Sequence, residues 1–319
     1  LDLLEIKDLS THFFTRSGVI KAVSGLNLTL QRGRVLGLVG ESGCGKTVTA
    51  LSILGLVPYP GKIVSGSIFF EGRDLRTLST DEMRAVRGAK ISMIFQEPMT
   101  ALNPVFTVGN QIAEVLTAHQ EISNKQALDQ AVELLRSVGI PAPEKRVHEY
   151  PHQLSGGMRQ RVMIAIAIAC KPSLILADEP TTALDVTIQA HILELLERIQ
   201  KEMGLALILV THDLGLIAER ADEVAVMYAG KIVEQAGIVD LFKHPLHPYT
   251  RGLMASMPKP GQTGRVRLKT IPGSVPRLED LPLGCKFAPR CDIKTARCEV
   301  DPDLIEIAPG HFVRCWEAK

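Results

Sequence analysis

Gly40-Glu-Ser-Gly-Cys-Gly-Lys-Thr47 follows the apolar run Val35-Leu-Gly-Leu-Val39 and precedes a stretch of helical character over 47–56. Strand, glycine loop and helix in that order give a backbone whose N–H groups converge on phosphate oxygens, aided by the positive end of the helix. The spacing is G-x-x-x-x-G-K-[ST], which assigns Lys46 to the outer phosphates of a nucleoside triphosphate and Thr47 to Mg²⁺. Gly40, Ser42, Gly43, Cys44, Gly45, Lys46, Thr47 and the next position, Val48, are therefore the candidate nucleotide cradle.

Further short apolar runs at 91–95, 174–177, 206–210 and 224–228 read as buried strands, with helical stretches between them. That alternation predicts an α/β core with a mainly parallel sheet. Two regions depart from it. Short strand-like pieces over 3–30 and 67–71 predict an antiparallel β subdomain. Residues 108–168 read as a helical subdomain, with Leu128, Ala131, Val132, Leu135 and Val138 on one amphipathic face.

At 319 residues and 45% apolar content the chain can bury a large core. Its 36 basic and 35 acidic side chains leave a formal charge of +1, which excludes the broad positive field of a general nucleic-acid binder. The longest apolar run, Val162-Met-Ile-Ala-Ile-Ala-Ile-Ala-Cys170, falls far short of the ~20 residues that cross a bilayer, so no membrane span is expected. The N-terminal Leu-Asp-Leu-Leu-Glu-Ile-Lys lacks a basic-then-apolar export signal, which disfavours a disulfide framework. After Phe242 the texture changes: Pro258, Pro260, Pro272, Pro276, Pro282 and Pro289 mark a proline-rich, basic, loop-rich extension. The expected organisation is a nucleotide-binding domain over 1–242, containing a helical subdomain at about 97–168, and an extension over 243–319.

Two further motifs carry chemistry. Leu174-Ile-Leu-Ala-Asp-Glu-Pro180 is an apolar strand ending in carboxylates, Asp178 suited to Mg²⁺ and Glu179 to polarising an attacking water. Leu154-Ser-Gly-Gly-Met-Arg-Gln160 places an N-capping serine and two glycines before a helix, a second anion site in one chain.

Together these motifs resemble the ATP-binding subunits of ABC transporters. The resemblance implies that Ser155, Gly156 and Gly157 close over the γ-phosphate held by another subunit, with Asp185 of the Ala183-Leu-Asp185 loop beside them, in a head-to-tail dimer. It implies that Glu179 is the catalytic base, that His212 contacts the γ-phosphate, and that Gln96 senses Mg²⁺ and touches a membrane partner. Phe13 or Phe14 matches the aromatic that stacks on adenine, the count back from Lys21-Ala-Val23 favouring Phe13, and Thr47, Gln96 and Asp178 are expected to serve Mg²⁺.

Glu97-Pro-Met-Thr-Ala-Leu-Asn-Pro104 and His244-Pro-Leu-His-Pro-Tyr-Thr250 narrow the likeness to dipeptide/oligopeptide importer ATPases, the first of their two paired subunits. That implies a heterodimer with a second homologous ATPase, two transmembrane permease subunits, an extracellular substrate-binding protein and a peripheral place on the cytoplasmic face of the membrane. A nickel importer is the alternative cargo reading, with a soluble non-transport ATPase a more distant one. Cys285, Cys291, Cys298 and Cys315 form the remaining constellation. Their spacing departs from the close pairs typical of zinc, whereas [4Fe-4S] ligand spacings vary widely, and the resemblance points to the cluster, zinc being the alternative. A structural role for the site, tying down an extension with little core, is expected. Cys44 and Cys170 are assigned to loop and core.

Overall fold

The computed structural model describes residues 2–182, 184–257 and 270–318. Ala183 of the Asp185 loop, and Pro258 and Pro260 with the basic stretch up to 269, lie outside the described residues. The chain divides into two compact units, one of Asp2–Leu30, Val35–Arg76 and Leu209–Lys319, the other mainly Gln31–Arg34 and Thr77–Ile208.

The first unit carries the predicted antiparallel sheet, in the order Gly18–Gln31, Asp2–Thr15, Gly61–Phe70, Arg73–Asp74. Leu26, Leu28 and Leu30 are buried while Asn27, Thr29 and Gln31 are exposed, the period-two alternation of a strand with one face on a core. The register runs from Leu4 opposite Phe70 to Phe13 opposite Gly61.

Val35–Val39 is buried along its whole length and lies parallel to Glu223–Tyr228, with Leu36 opposite Glu223 and Val39 opposite Val226. Burial on both faces explains why this strand is a continuous apolar run. Asp222 fixes its start by accepting the Val35 N–H at 2.8 Å. Glu223–Tyr228 then turns through Ala229 and Gly230, both at positive φ, into the antiparallel Lys231–Gly237.

The extension contributes to this sheet. His311–Val313 pairs with Lys231–Gly237, Glu234 opposite Val313, and Ile305–Ala308 pairs with His311–Val313. Strands of three and four residues are too short to reveal a period, so sequence reading saw loop there.

In the second unit Ile91–Ile94 and Leu174–Asp178 are parallel neighbours, Ile94 opposite Ala177. Helices Val108–His119, Asn124–Ser137 and Gly156–Ile168 form its helical part. Ala127, Ala131, Leu135 and Val138 make the buried stripe, while Leu128 and Val132 flank it half-exposed. Each of these helices has a side-chain N-cap: Thr107, Ser123 in a capping box with Gln126, and Ser155. Val186–Met203 starts at the Asp185 cap and stops at Gly204, whose left-handed φ of 63° ends the helix. Among the described residues no helix is long and apolar enough to cross a membrane.

Candidate functional site

Two glycines of the candidate phosphate loop leave no room for a side chain. Gly40 and Gly45 have φ of 157° and 108°. A Cβ on Gly40 would lie 2.2 Å from Met227 O, and one on Gly45 would lie 2.4 Å from Ala22 O. The loop is thus pressed against the neighbouring strand and turn, and the Gly230 N–H seals it by donating to Cys44 O at 2.8 Å. Gly45 ends the loop in the left-handed region, and helix Lys46–Ile53 begins with no side-chain cap, leaving its positive end to an anion.

Lys46 is 5% exposed, and its ammonium donates to Gly40 O at 2.7 Å and Glu41 O at 3.2 Å. The charge is held inside the loop by carbonyls. Cys44 is fully buried beside it, and burial pushes its thiol pKa up. This fits the loop assignment of Cys44, whereas Cys170 is half-buried at the end of Gly156–Ile168 rather than in the core. Phe13 is half-buried and packs at Gly61, where an added Cβ would meet its ring at 2.7 Å; Phe14 is 47% exposed. His212 follows strand Ala206–Thr211 and is exposed, and the next residue, Asp213, caps helix Leu214–Arg220.

The second unit brings together another predicted set. Asp178 is 2% exposed at the end of its strand, and Glu179 follows with φ of 44°. Gln96, just beyond the neighbouring parallel strand, donates its amide to Glu179 Oε2 at 3.2 Å, and Thr182 Oγ1 lies 2.8 Å from the same oxygen. Ser155 accepts the Met158 N–H, and Asp185 accepts the Ile188 N–H at 2.9 Å. Gly157 stands against Ile188, where a Cβ would meet Ile188 Cγ2 at 2.9 Å, so these two helix starts are neighbours.

The sequence reading missed the residues that surround Glu41. Arg290 bridges it in bidentate fashion, Nη1 to Oε2 at 2.7 Å and Nη2 to Oε1 at 3.1 Å. The Glu41 N–H donates to Tyr249 Oη at 2.8 Å. Tyr249, Tyr228 and Phe287 form an aromatic cluster with centroids 4.7 to 5.5 Å apart, and the Arg290 guanidinium lies over Tyr228 and Phe287. Hydrogen bonds from Arg290 to Glu41 raise the guanidinium pKa, and burial raises that of the Tyr249 phenol. Removing one partner of a fully buried pair costs about 3–5 kcal/mol. Here the cost is smaller, because 29% of the Glu41 side chain stays exposed.

The His-Pro-Leu-His-Pro-Tyr-Thr stretch also has a physical reason. Glu234, fully buried, accepts the N–H groups of Leu246 and His247 at 2.7 and 2.9 Å and pairs with His311 Nε2 at 2.8 Å. His247 in turn caps helix Pro248–Ala255 by accepting the Tyr249 N–H at Nδ1, 3.0 Å away. Burial lowers its pKa to about 3, so the ring is neutral and can accept. The stretch delivers Tyr249 to the phosphate loop.

The four late cysteines are free thiols. Burial raises the pKa of Cys285, Cys291 and Cys315, and each is raised further by the charge of at least one other member of the set. Cys285 donates its N–H to Cys298 O at 3.0 Å. The expected metal centre is nevertheless not preformed: among the described residues no three His, Cys, Asp or Glu side chains converge as a metal-holding group.

Comparison with known proteins gives a consistent result. Residues 23–182 match the ABC transporter family, and residues 233–298 match the oligopeptide/dipeptide transporter C-terminal region. The chain is 52% identical to the oligopeptide transport ATP-binding protein OppD of Bacillus subtilis, over 98% of this chain and 88% of that protein. It is 51% identical to the dipeptide transport ATP-binding protein DppD of Haemophilus influenzae, over 98% and 94%. Among solved structures, the dimeric ATP-binding cassette MJ0796 in a post-hydrolysis state with ADP and Pi aligns with a TM-score of 0.66 at 27% identity, over 74% of this chain and 98% of that one. The α/β cassette fold expected from the motifs is therefore the fold observed. The chain belongs to the ABC transporter family, as an ATP-hydrolysing, ATP-binding subunit of its dipeptide/oligopeptide group.

Proposed function

We propose that this protein drives import of di- and oligopeptides from the cytoplasmic face of the membrane, beneath two permease subunits and in a heterodimer with a second homologous ATPase. An extracellular substrate-binding protein would deliver the cargo. The observation that carries this reading is the joining of a phosphate loop and signature helix to a C-terminal region of oligopeptide/dipeptide transporter type in one chain. The names of the similar proteins favour peptide over nickel as cargo. Support for a membrane partner comes from Met99, Val105 and Phe106, exposed in the segment just after Gln96, with Phe106 also lining a mixed groove with Asn110, Ala113, Glu114, Thr117, Asn124 and Leu128.

The chemistry is positional and electrostatic. Lys46 and the backbone of Gly40, Ser42, Gly43, Cys44 and Gly45 hold the phosphates, with Thr47 and Val48 opening the helix and Phe13 under the adenine. Glu179, oriented by Gln96 and Thr182, takes the proton of the attacking water, and His212 steadies the γ-phosphate. Thr47, Gln96 and Asp178 are the residues assigned to Mg²⁺, and their hydroxyl, amide and carboxylate oxygens are donors of the kind Mg²⁺ takes. When bound, Mg²⁺ neutralises charge on the phosphates. Ser155, Gly156, Gly157 and Asp185 act on the ATP of the partner subunit, so ATP closes the dimer and product release reopens it.

The same reading assigns a [4Fe-4S] cluster to Cys285, Cys291, Cys298 and Cys315. What supports this is the chemistry of the donors, since an all-sulfur set suits iron–sulfur or zinc. When present, the cluster would serve as a staple for the extension.

The test is ATP hydrolysis by the complex purified from membranes through this chain, with and without di- and tripeptides. Co-purified permeases and peptide-stimulated hydrolysis are expected. Stimulation by Ni²⁺ and not by peptides would overturn the cargo reading, and recovery with ribosomes or nucleic acid would overturn the transport reading.

A further inference from the structure

The second position of the phosphate loop is a carboxylate, Glu41, set among groups meant to receive a polyanion. Left alone, its charge would oppose a bound polyanion and its backbone would be less firmly held. Neither happens here, because two side chains from the C-terminal part of the chain hold Glu41 at both ends. Arg290 takes the carboxylate with two hydrogen bonds, and Tyr249 accepts the backbone N–H.

Both residues are themselves fixed. The Arg290 side chain is 5% exposed, its Nε donates to Pro272 O at 2.9 Å, and its backbone N–H closes a short turn on Phe287 O. Tyr249 is fully buried and sits on a helix capped by His247, which Glu234 anchors to strand Lys231–Gly237. Arg290 directly precedes Cys291, and Ala288 bonds back to Cys285 O, so the cysteine-bearing segment and the arginine are one short stretch of backbone.

We propose that Arg290 is a positioning residue for the nucleotide: by neutralising and pinning Glu41 it keeps the phosphate loop receptive to ATP, so the C-terminal extension sets nucleotide affinity. The inference rests on the phosphate-loop reading of Gly40 to Thr47. It gives the extension a task in the ATP cycle and makes Tyr249 its second contact. The bidentate geometry explains the choice of arginine, since a lysine supplies the charge without the fork.

The experiment measures equilibrium binding of ATP to the full chain, comparing wild type, Arg290→Gln, Arg290→Lys and the double variant Arg290→Gln with Glu41→Gln, with Lys46→Ala as control. Arg290→Gln should weaken ATP binding by about fivefold to tenfold, the size expected for one unit charge largely screened by water. Arg290→Lys should lie between it and wild type. The double variant, with no charge left to repel the phosphates, should bind ATP more tightly than Arg290→Gln alone and recover most of the loss. High salt should narrow the gap between Arg290→Gln and wild type.

Binding within twofold of wild type in Arg290→Gln would overturn the proposal. So would a double variant as weak as Arg290→Gln, which would mean that the arginine acts by packing alone. If Arg290→Gln fails to fold, Arg290→Lys against wild type at two salt concentrations carries the test, and equal affinities at both would overturn it. Unchanged binding in Lys46→Ala would instead sink the phosphate-loop reading on which the inference stands.

Discussion

Gln96 donates its side-chain amide to Glu179 Oε2 at 3.2 Å, from the end of one parallel strand to the end of its neighbour. Thr182 Oγ1 approaches the same oxygen at 2.8 Å, so the carboxylate is oriented by two groups before any substrate arrives. A carboxylate aimed in this way would take a proton without first reorganising, the role proposed for Glu179. Gln96→Ala is expected to lower the ATP turnover number by roughly tenfold to a hundredfold while changing ATP affinity far less. Steady-state hydrolysis with a parallel binding titration reads both. Equal losses in turnover and affinity would mean that Gln96 serves binding instead of aim.

The glycines of the phosphate loop are not equivalent. Gly45→Ala forces a Cβ to within 2.4 Å of Ala22 O at a φ of 108°, whereas Gly43→Ala meets nothing within 4 Å and bears only the strain of a φ of 78°. Gly43→Ala should cost about 1 kcal/mol, and Gly45→Ala clearly more, with loss of ATP binding. Urea unfolding of the two variants checks the order. A Gly45→Ala protein as stable as Gly43→Ala would contradict the packing described for the loop.

The extension should loosen in acid because of His247. Its pKa is lowered from 6.5 to about 3 by burial, with Arg251 and Arg314 adding repulsion and Glu234 bonded to its backbone rather than to its ring. Above pH 6.5 the ring is neutral folded or unfolded and contributes no pH dependence. As pH falls from there toward about 3, the unfolded chain gains a proton that the folded one refuses, and stability drops. The slope approaches about 1.4 kcal/mol per pH unit at most. His247→Asn keeps a capping side chain and removes the titration, so its stability between pH 7 and pH 4.5 should fall less steeply than that of wild type. Parallel curves would place the acid sensitivity elsewhere.

The cysteine assignment is checked by composition. Protein purified without oxygen is expected to hold about four irons and four acid-labile sulfides per chain, with a broad absorption band near roughly 400 nm. One zinc and no sulfide would replace the cluster by a plain metal clip.

Much of the cassette was legible because its signals are local. The phosphate loop, the Asp178-Glu179 strand end and the Ser155 cap each declare themselves within eight residues, and the buried strands are unbroken apolar runs. The clamp on Glu41 was not legible. Its partners lie 208 and 249 positions away, and no short-range pattern links an arginine beside a proline to a glutamate between Gly40 and Ser42. The extension was misread in part for the same reason: Ile305–Ala308 and His311–Val313 are strands through their pairing, not through their own periodicity. The amphipathic face over 128–138 was found with an offset, since Ala127 fills the core position and Leu128 its margin.

The measurement that bears most directly on the account is the ATP hydrolysis rate of the assembled transporter carrying Glu179→Gln, alongside its ATP affinity. The account predicts that ATP binding is retained while turnover falls by at least about a hundredfold, the contribution of a positioned general base. A wild-type hydrolysis rate in that variant would remove Glu179 as the base and with it the catalytic centre described here.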